Sequence, residues 1–197
     1  MKNLLITLSL FLTSIYLAAQ SQSIEWQTSL GGTGSDNATS IQQTTDGGYI
    51  VAGRAQSTDG DVTGNHGQAS DYWVVKLTST GAITWQKSLG GTDVDFAIFI
   101  QQTTDGGYIV AGFSYSTDGD VTGNHGQADY WVVKLSSTGA ITWQKSLGGT
   151  GGDFANSIQQ TTDGGYIVAG FSNSTNGDVT GNHGSTDYWV VKLDSIG

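Results

Sequence analysis

The 197-residue sequence contains no cysteine, which excludes a disulfide framework, thiol catalysis and any cysteine-ligated zinc or iron–sulfur centre. Proline is absent as well, against 30 glycines. Glu25 is the one glutamate among 17 acidic residues, basic residues number seven, and the net charge is −10. A phosphate backbone demands a basic face, so no nucleic acid is expected as a partner. Charged residues make up only 12% of the chain and hydrophobic ones 37%, which is not the composition of a disordered segment. Helical periodicity is also missing beyond the N-terminal leader, so the rest of the chain reads as all-β.

Residues 1–21 read as a signal peptide. Lys2 supplies the positive start, the run Leu4 to Leu17 the apolar stretch, and Ala18, Ala19 and Ser21 the small residues for cleavage. The polar residues Gln20 to Ser23 come too early for a membrane span of roughly 20 apolar residues. The expected address is therefore secreted or cell-surface, with the periplasm as the alternative, and no membrane span remains after cleavage.

Beyond the leader the chain is three copies of one unit of about 58 residues, at 24–82, 83–140 and 141–197. The second and third copies share ITWQKSLGGT, DFA, IQQTTDGGYIVAG, GDVTGNHG and DYWVVKL. Each copy reads as four short strands: ITWQKSL, IQQT, GYIVAGFS and DYWVVKL. The period of two puts Ile83, Trp85 and Leu89 on one face of the first strand. Thr104-Asp105-Gly106 reads as a tight hairpin loop, with Asp accepting from backbone amides and Gly supplying positive φ. In YIVAGF and YWVVKL both faces are apolar, so those strands must be covered on both sides. Repeated four-stranded antiparallel sheets stacked face to face are the blades of a β-propeller. A threefold β-trefoil or β-prism is the alternative that three units of four strands also allow.

The segments WQKSLGG, SIQQTTDGGYIVAG and DYWVVKL resemble the tandem repeats of secreted bacterial β-propeller-like proteins, over essentially the whole chain after the leader. The resemblance implies export, often as cargo of the type IX secretion route, and some of the similar proteins carry endoglucanase-like names, which points to glycans. Similar chains commonly hold more repeats and end in a C-terminal sorting domain, whereas this sequence has three units and ends at Gly197. Since propellers usually close with four to eight blades, three units imply a fragment of a longer propeller, self-association or a different threefold fold. The first copy begins with a fourth-strand sequence, SIEWQTSL, and the last ends with a third-strand sequence.

Asp118, Asp120, Thr122 and Asp129 stand at positions 1, 3, 5 and 12 of a calcium loop with Gly123 at position 6. The third copy keeps Asn176, Asp178, Thr180 and Asp187, and the first keeps Asp59, Asp61 and Thr63, with Ser70 at position 12. The same residues fit Asx turns in a glycine-rich loop, and both readings stand; Ca2+ is the one cofactor the sequence suggests. His66, His125 and His183 recur once per copy and would meet in a zinc site only around a true threefold axis. The repeated Asp pairs argue against glycosidase chemistry, which needs two carboxyls in different environments. Glu25, Asp93 and Asp194 break the repeat pattern without a common motif, and no catalytic residues are assigned. Ligand choice is expected at divergent positions, namely Arg54, Asp93, Phe99 and Tyr115. The function this supports is an exported, non-catalytic module binding glycan or cell-surface ligands. A secreted carbohydrate-active enzyme and a structural segment of a larger adhesin are the alternatives.

Overall fold

A computed structural model describes residues 23–67 and 69–197; the signal-peptide reading falls outside them. The described residues are all-β, with eleven strands in three antiparallel sheets. The first sheet is a meander of β1 (Asp36–Gln43), β2 (Tyr49–Ala55), β3 (Asp71–Leu77) and β4 (Ile83–Leu89). The second repeats it with β5 (Asp95–Gln102), β6 (Tyr108–Ser114), β7 (Asp129–Leu135) and β8 (Ile141–Leu147). The third holds β9 (Asp153–Gln160), β10 (Tyr166–Ser172) and β11 (Asp187–Leu193). The first and second sheets thus straddle boundaries between sequence copies, because ITWQKSL closes the sheet of the copy before it.

Two features differ from the sequence reading. The third sheet has three strands rather than four among the described residues. The counterpart of ITWQKSL at the other end, Ile24 to Leu30, forms no strand because no third strand lies beside it among the described residues. In addition, Ile83 and Trp85 do not share a face. The register slips between Lys76 and Leu77, pairing Lys76 with Trp85 and Leu77 with Ile83. This bulge turns Ile83 toward Leu77 and Trp73, while Trp85 and Leu89 face the second sheet.

The doubly apolar strands account for the packing. Tyr72, Val74, Ile50 and Ala52 of the first sheet meet Tyr108, Val110, Trp131, Val133 and Leu135 of the second. From the opposite face of the second sheet, Ile109, Ala111, Tyr130 and Val132 meet Tyr166, Val168, Ile158 and Ala155 of the third. Every residue of β7 is buried, and each large aliphatic side chain so covered contributes about 1.5–3 kcal/mol. Lys134 lies in this strand at 5% exposure, and its Nζ reaches Asp105 Oδ2 in the β5–β6 turn at 2.8 Å. Asp105 is held down to about 2: burial acts against this, but the Lys134 ammonium, the Thr103 hydroxyl and the Gly107 N–H outweigh it. Gly106 has φ +81°, the left-handed conformation the turn requires.

Two tyrosines tie sheet to sheet. Tyr72 donates its hydroxyl to the Trp131 carbonyl, and Tyr130 donates to the Trp189 carbonyl, both at 2.9 Å. The set of sheets is open, not a closed threefold trefoil or prism. One core cluster joins the first sheet to the second and another the second to the third. A third cluster, with Trp73, Val75 and Leu77, sits on the outer face of the first sheet alone.

Candidate functional site

The glycine-rich loop after each fourth strand folds back onto the paired aspartates between sheets. A Cβ on Gly90 would lie 2.2 Å from Asp95 Oδ2 and 3.1 Å from Asp71 Oδ1; on Gly148 it would lie 2.4 Å from Asp153 Oδ2 and 2.6 Å from Asp129 Oδ1. Only glycine lets the chain pass between these carboxyls. Asp95 Oδ2 accepts from the Gly91 N–H (2.8 Å) and the Ser116 hydroxyl (2.9 Å). Asp71 Oδ2 accepts from the backbone N–H of His66 (2.9 Å) and from its ring Nδ1 (2.6 Å).

The Oδ1 atoms of Asp71, Asp95, Asp129 and Asp153 are buried without a hydrogen-bond partner. Burial pushes Asp95 up to about 6, with Gly91, Ser114 and Ser116 opposing and the Asp71 charge adding to the rise. Burial also raises Asp71, against the donors of His66. His66 is itself raised: burial pulls it down, but Asp71 and the more distant Asp120 and Asp95 prevail. Asp71 and Asp95 are 0% exposed, so a pair with the raised affinity for a proton that acid catalysis uses is sealed from any substrate.

The calcium-loop residues are spread over separate hydrogen bonds. Asp118 accepts from the Thr92 N–H (2.8 Å) and the Thr92 hydroxyl (2.9 Å), as Asp59 does from Thr33 at the same distances. Asn176 takes the corresponding N–H of Thr150 at 2.9 Å. Asp61, Asp120 and Asp178 accept from the N–H groups of Gly31, Gly90 and Gly148 at 3.1, 3.3 and 3.2 Å. Thr63 and Thr122 bond Gln86 and Gln144 of the fourth strands, and Thr180 lines a cavity beside Tyr188. Asp129 and Asp187 each hold the histidine of their own copy, at 2.6 and 2.9 Å from Nδ1. The acidic and amide oxygens therefore fasten each loop to an earlier segment of its own copy, Thr63 and Thr122 reach the fourth strand of the next, and each histidine bonds the Asp of its own copy. Among the described residues no three His, Asp or Glu side chains gather closely enough to hold a metal ion.

The divergent positions separate. Phe99 is half-buried against the core between the second and third sheets, and Asp93 is exposed in the loop after β4. Arg54 and Tyr115, in contrast, belong to one aromatic row that crosses all three sheets. The Arg54 guanidinium lies 4.8 Å from the centre of the Phe96 ring. Phe96 meets its strand partner Phe113 at 5.6 Å, and Phe113 meets Phe154 of the next sheet at 4.9 Å and 71°. Phe154 stacks on Phe171 at 5.0 Å and 27°. Tyr115, 40% exposed, branches from Phe113 at 6.0 Å. The phenylalanine rings are half-buried, leaving a strip of ring edges and faces that is cationic at one end. The sequence reading passed over Phe96, Phe113, Phe154 and Phe171. Their signal is the recurrence of DFA and GFS one copy apart, read together with a register that sets those two phenylalanines opposite each other. The core tryptophans, in contrast, are structural; Trp131 is 0% and Trp73 7% exposed.

No helix among the described residues is long and apolar enough to cross a membrane. Neither a protein-family model nor a curated protein matches the chain.

Proposed function

We propose that this protein is an exported, non-catalytic β-propeller-like module that binds glycan or cell-surface ligands. The observation that carries the reading is the aromatic row from Arg54 through Phe96, Phe113 and Phe154 to Phe171, with Tyr115 beside it. Ring faces stack on the C–H faces of sugars, and a guanidinium hydrogen-bonds hydroxyl or carboxylate oxygens. Because the row crosses from sheet to sheet, it offers several contacts to an extended chain rather than one pocket to a small molecule. The resemblance to secreted repeat proteins supports export, and the burial of the Asp71–Asp95 pair favours binding over hydrolysis.

Affinity electrophoresis through gels containing a soluble β-glucan, run with the purified protein and with its Tyr115→Ala and Arg54→Ala variants, tests this reading. Retardation of the parent, weakened about five- to thirtyfold in each variant, supports it, since one stacked or charged contact contributes about 1–2 kcal/mol. Equal mobility of parent and variants, or release of reducing ends that is lost in Glu25→Gln or Asp93→Asn, overturns it.

A further inference from the structure

The two ends of the sheet series are complementary halves of a contact that already occurs twice inside the chain. On β11, Tyr188 is 96% and Val190 60% exposed, whereas their equivalents Tyr72, Val74, Tyr130 and Val132 are all at 0%. Internally, each such tyrosine reaches the carbonyl of the next sheet's tryptophan and stands over its glycine. Tyr72 Oη lies 2.8 Å from where a Cβ of Gly112 would be, and Tyr130 Oη 2.7 Å from that of Gly170. On the first sheet the corresponding acceptors are the carbonyl of Trp73 and the space over Gly53, which no tyrosine occupies. A cavity of about 290 Å3 lies there, lined by Gly53, Trp73, Val75 and Val51.

A segment with the sequence of a fourth strand lies at the other end of the described residues. Residues 24–30, IEWQTSL, match ITWQKSL at five of seven positions. They already lie against the first sheet as a fourth strand lies against the sheet that follows it. Trp26 covers Gly81 and stands 5.6 Å from Tyr49, just as Trp85 covers Gly139 and stands 5.8 Å from Tyr108. Among the described residues this segment has no third strand to pair with, and β11 has no fourth. A cavity of about 300 Å3, lined by Thr180, His183, Tyr188 and Trp189, marks the vacant side of β11.

We infer that the occupant of both open ends is a second copy of this chain. The third sheet of one copy packs on the first sheet of the other, and residues 24–30 of that copy complete the third sheet as its fourth strand. The two internal registers fix the pairing. Val74 faces Lys87 and Val132 faces Lys145, so Val190 of one copy faces Thr28 of the other, Trp189 faces Ser29 and Lys192 faces Trp26. The indole N–H of Trp73 donates to Gln86 and that of Trp131 to Gln144, both at 2.8 Å. The N–H of Trp189 finds Gln27 of the incoming strand.

The contact is heterologous, head to tail, so it must close on itself or grow into a filament. Blade rings close at four to eight, and six is the only multiple of three in that range. Two copies therefore make the ring, a stoichiometry that rests on the propeller-like reading proposed above.

Light scattering coupled to gel filtration, with a mixed-chain cross-link, tests the inference on a chain that has no cysteine of its own. The parent is expected at twice the chain mass. The Tyr188→Ser/Val190→Lys variant, altered at positions exposed in the single chain, is expected at the mass of one chain with an unchanged circular dichroism spectrum. Oxidising a mixture of a Thr28→Cys chain and a Val190→Cys chain is expected to join one of each, whereas Thr28→Cys mixed with Tyr188→Cys joins markedly less. A parent at single-chain mass, a Tyr188/Val190 variant that stays dimeric, or cross-linking without regard to register overturns the proposal. Open chains of three or more copies overturn the ring, and with it the propeller-like stoichiometry, independently of any glycan binding.

Discussion

Replacing Asp95 by asparagine isolates the cost of keeping two carboxyls between sheets. In the fold this group titrates near 6, mainly because it is buried, against 3.8 for an ordinary aspartate. A carboxyl whose affinity for protons rises on folding stabilises the fold fully below about pH 4, and that contribution is lost as pH climbs through 6. The gap between the two values is worth ~3 kcal/mol. The asparagine keeps an oxygen for the Gly91 N–H and the Ser116 hydroxyl. Its amide nitrogen takes the place of the unpartnered Oδ1, and the charge beside Asp71 is gone. Asp95→Asn is therefore expected to match the parent near pH 4 and to exceed it by ~3 kcal/mol at pH 8. In thermal melts that is about 6–12 °C at this chain length. The lysine-paired carboxylates do not blur the comparison, because Asp46, Asp105 and Asp163 titrate below this window and are present in both proteins. Melting curves of the two proteins that run parallel from pH 4 to 8, or a variant less stable than the parent at pH 8, would refute the reasoning.

Three further outcomes follow from the sheets and their turns. Tyr72→Phe, which deletes the hydroxyl bonded to the Trp131 carbonyl in the core, is expected to cost about 1–2 kcal/mol in urea unfolding without moving the far-ultraviolet circular dichroism. Gly112→Ala is expected to cost about 3 kcal/mol or more, because its Cβ would meet the Phe96 carbonyl oxygen at 2.0 Å. Gly106→Ala, with open space around its Cβ and φ +81°, costs only about 1–2 kcal/mol of backbone strain; equal losses at the two glycines would contradict this account.

Much of the architecture was legible in the sequence because the repeats carry strong local patterns. YIVAG and DYWVVKL are apolar on both faces, and the structure covers both faces of β6 and β7. The Asp-Gly pairs of the turns land where positive φ is needed. Two features escaped a pattern-based reading. The bulge opposite Lys76 breaks the period of two inside ITWQKSL, because pairing partners rather than local propensity decide where a strand slips. The aromatic row joins residues one copy apart, and only the cross-strand register and the stacking of sheets show that Phe113 touches Phe154. The spacing of Asp118, Asp120 and Thr122 looks like a cation loop in one dimension. In three dimensions these side chains meet Thr92, Gly90 and Gln144, which come from the preceding loop and the following strand.

The loop-held aspartates at the open ends give the molecule a proton ledger of its own. Asp36 is the counterpart of Asp95 and Asp153, and Asp187 the counterpart of Asp71 and Asp129, yet in the single chain these two lie at opposite ends. Asp36 is held below the usual carboxylate range: its partial burial opposes this, but the Ser57 hydroxyl and the N–H groups of Gly32, Ser57 and Gln56 prevail. Asp187 is held low by the backbone N–H and the ring of His183. In the proposed assembly Asp36 and Asp187 come together under cover, in the setting where burial raises Asp71 and Asp95. Such an assembly would take up protons, so that mild acid would tighten it and alkali loosen it, with the same two aspartates as the sensor. Sedimentation of the parent across pH 5 to 8 would register the uptake directly as the change in association constant with pH.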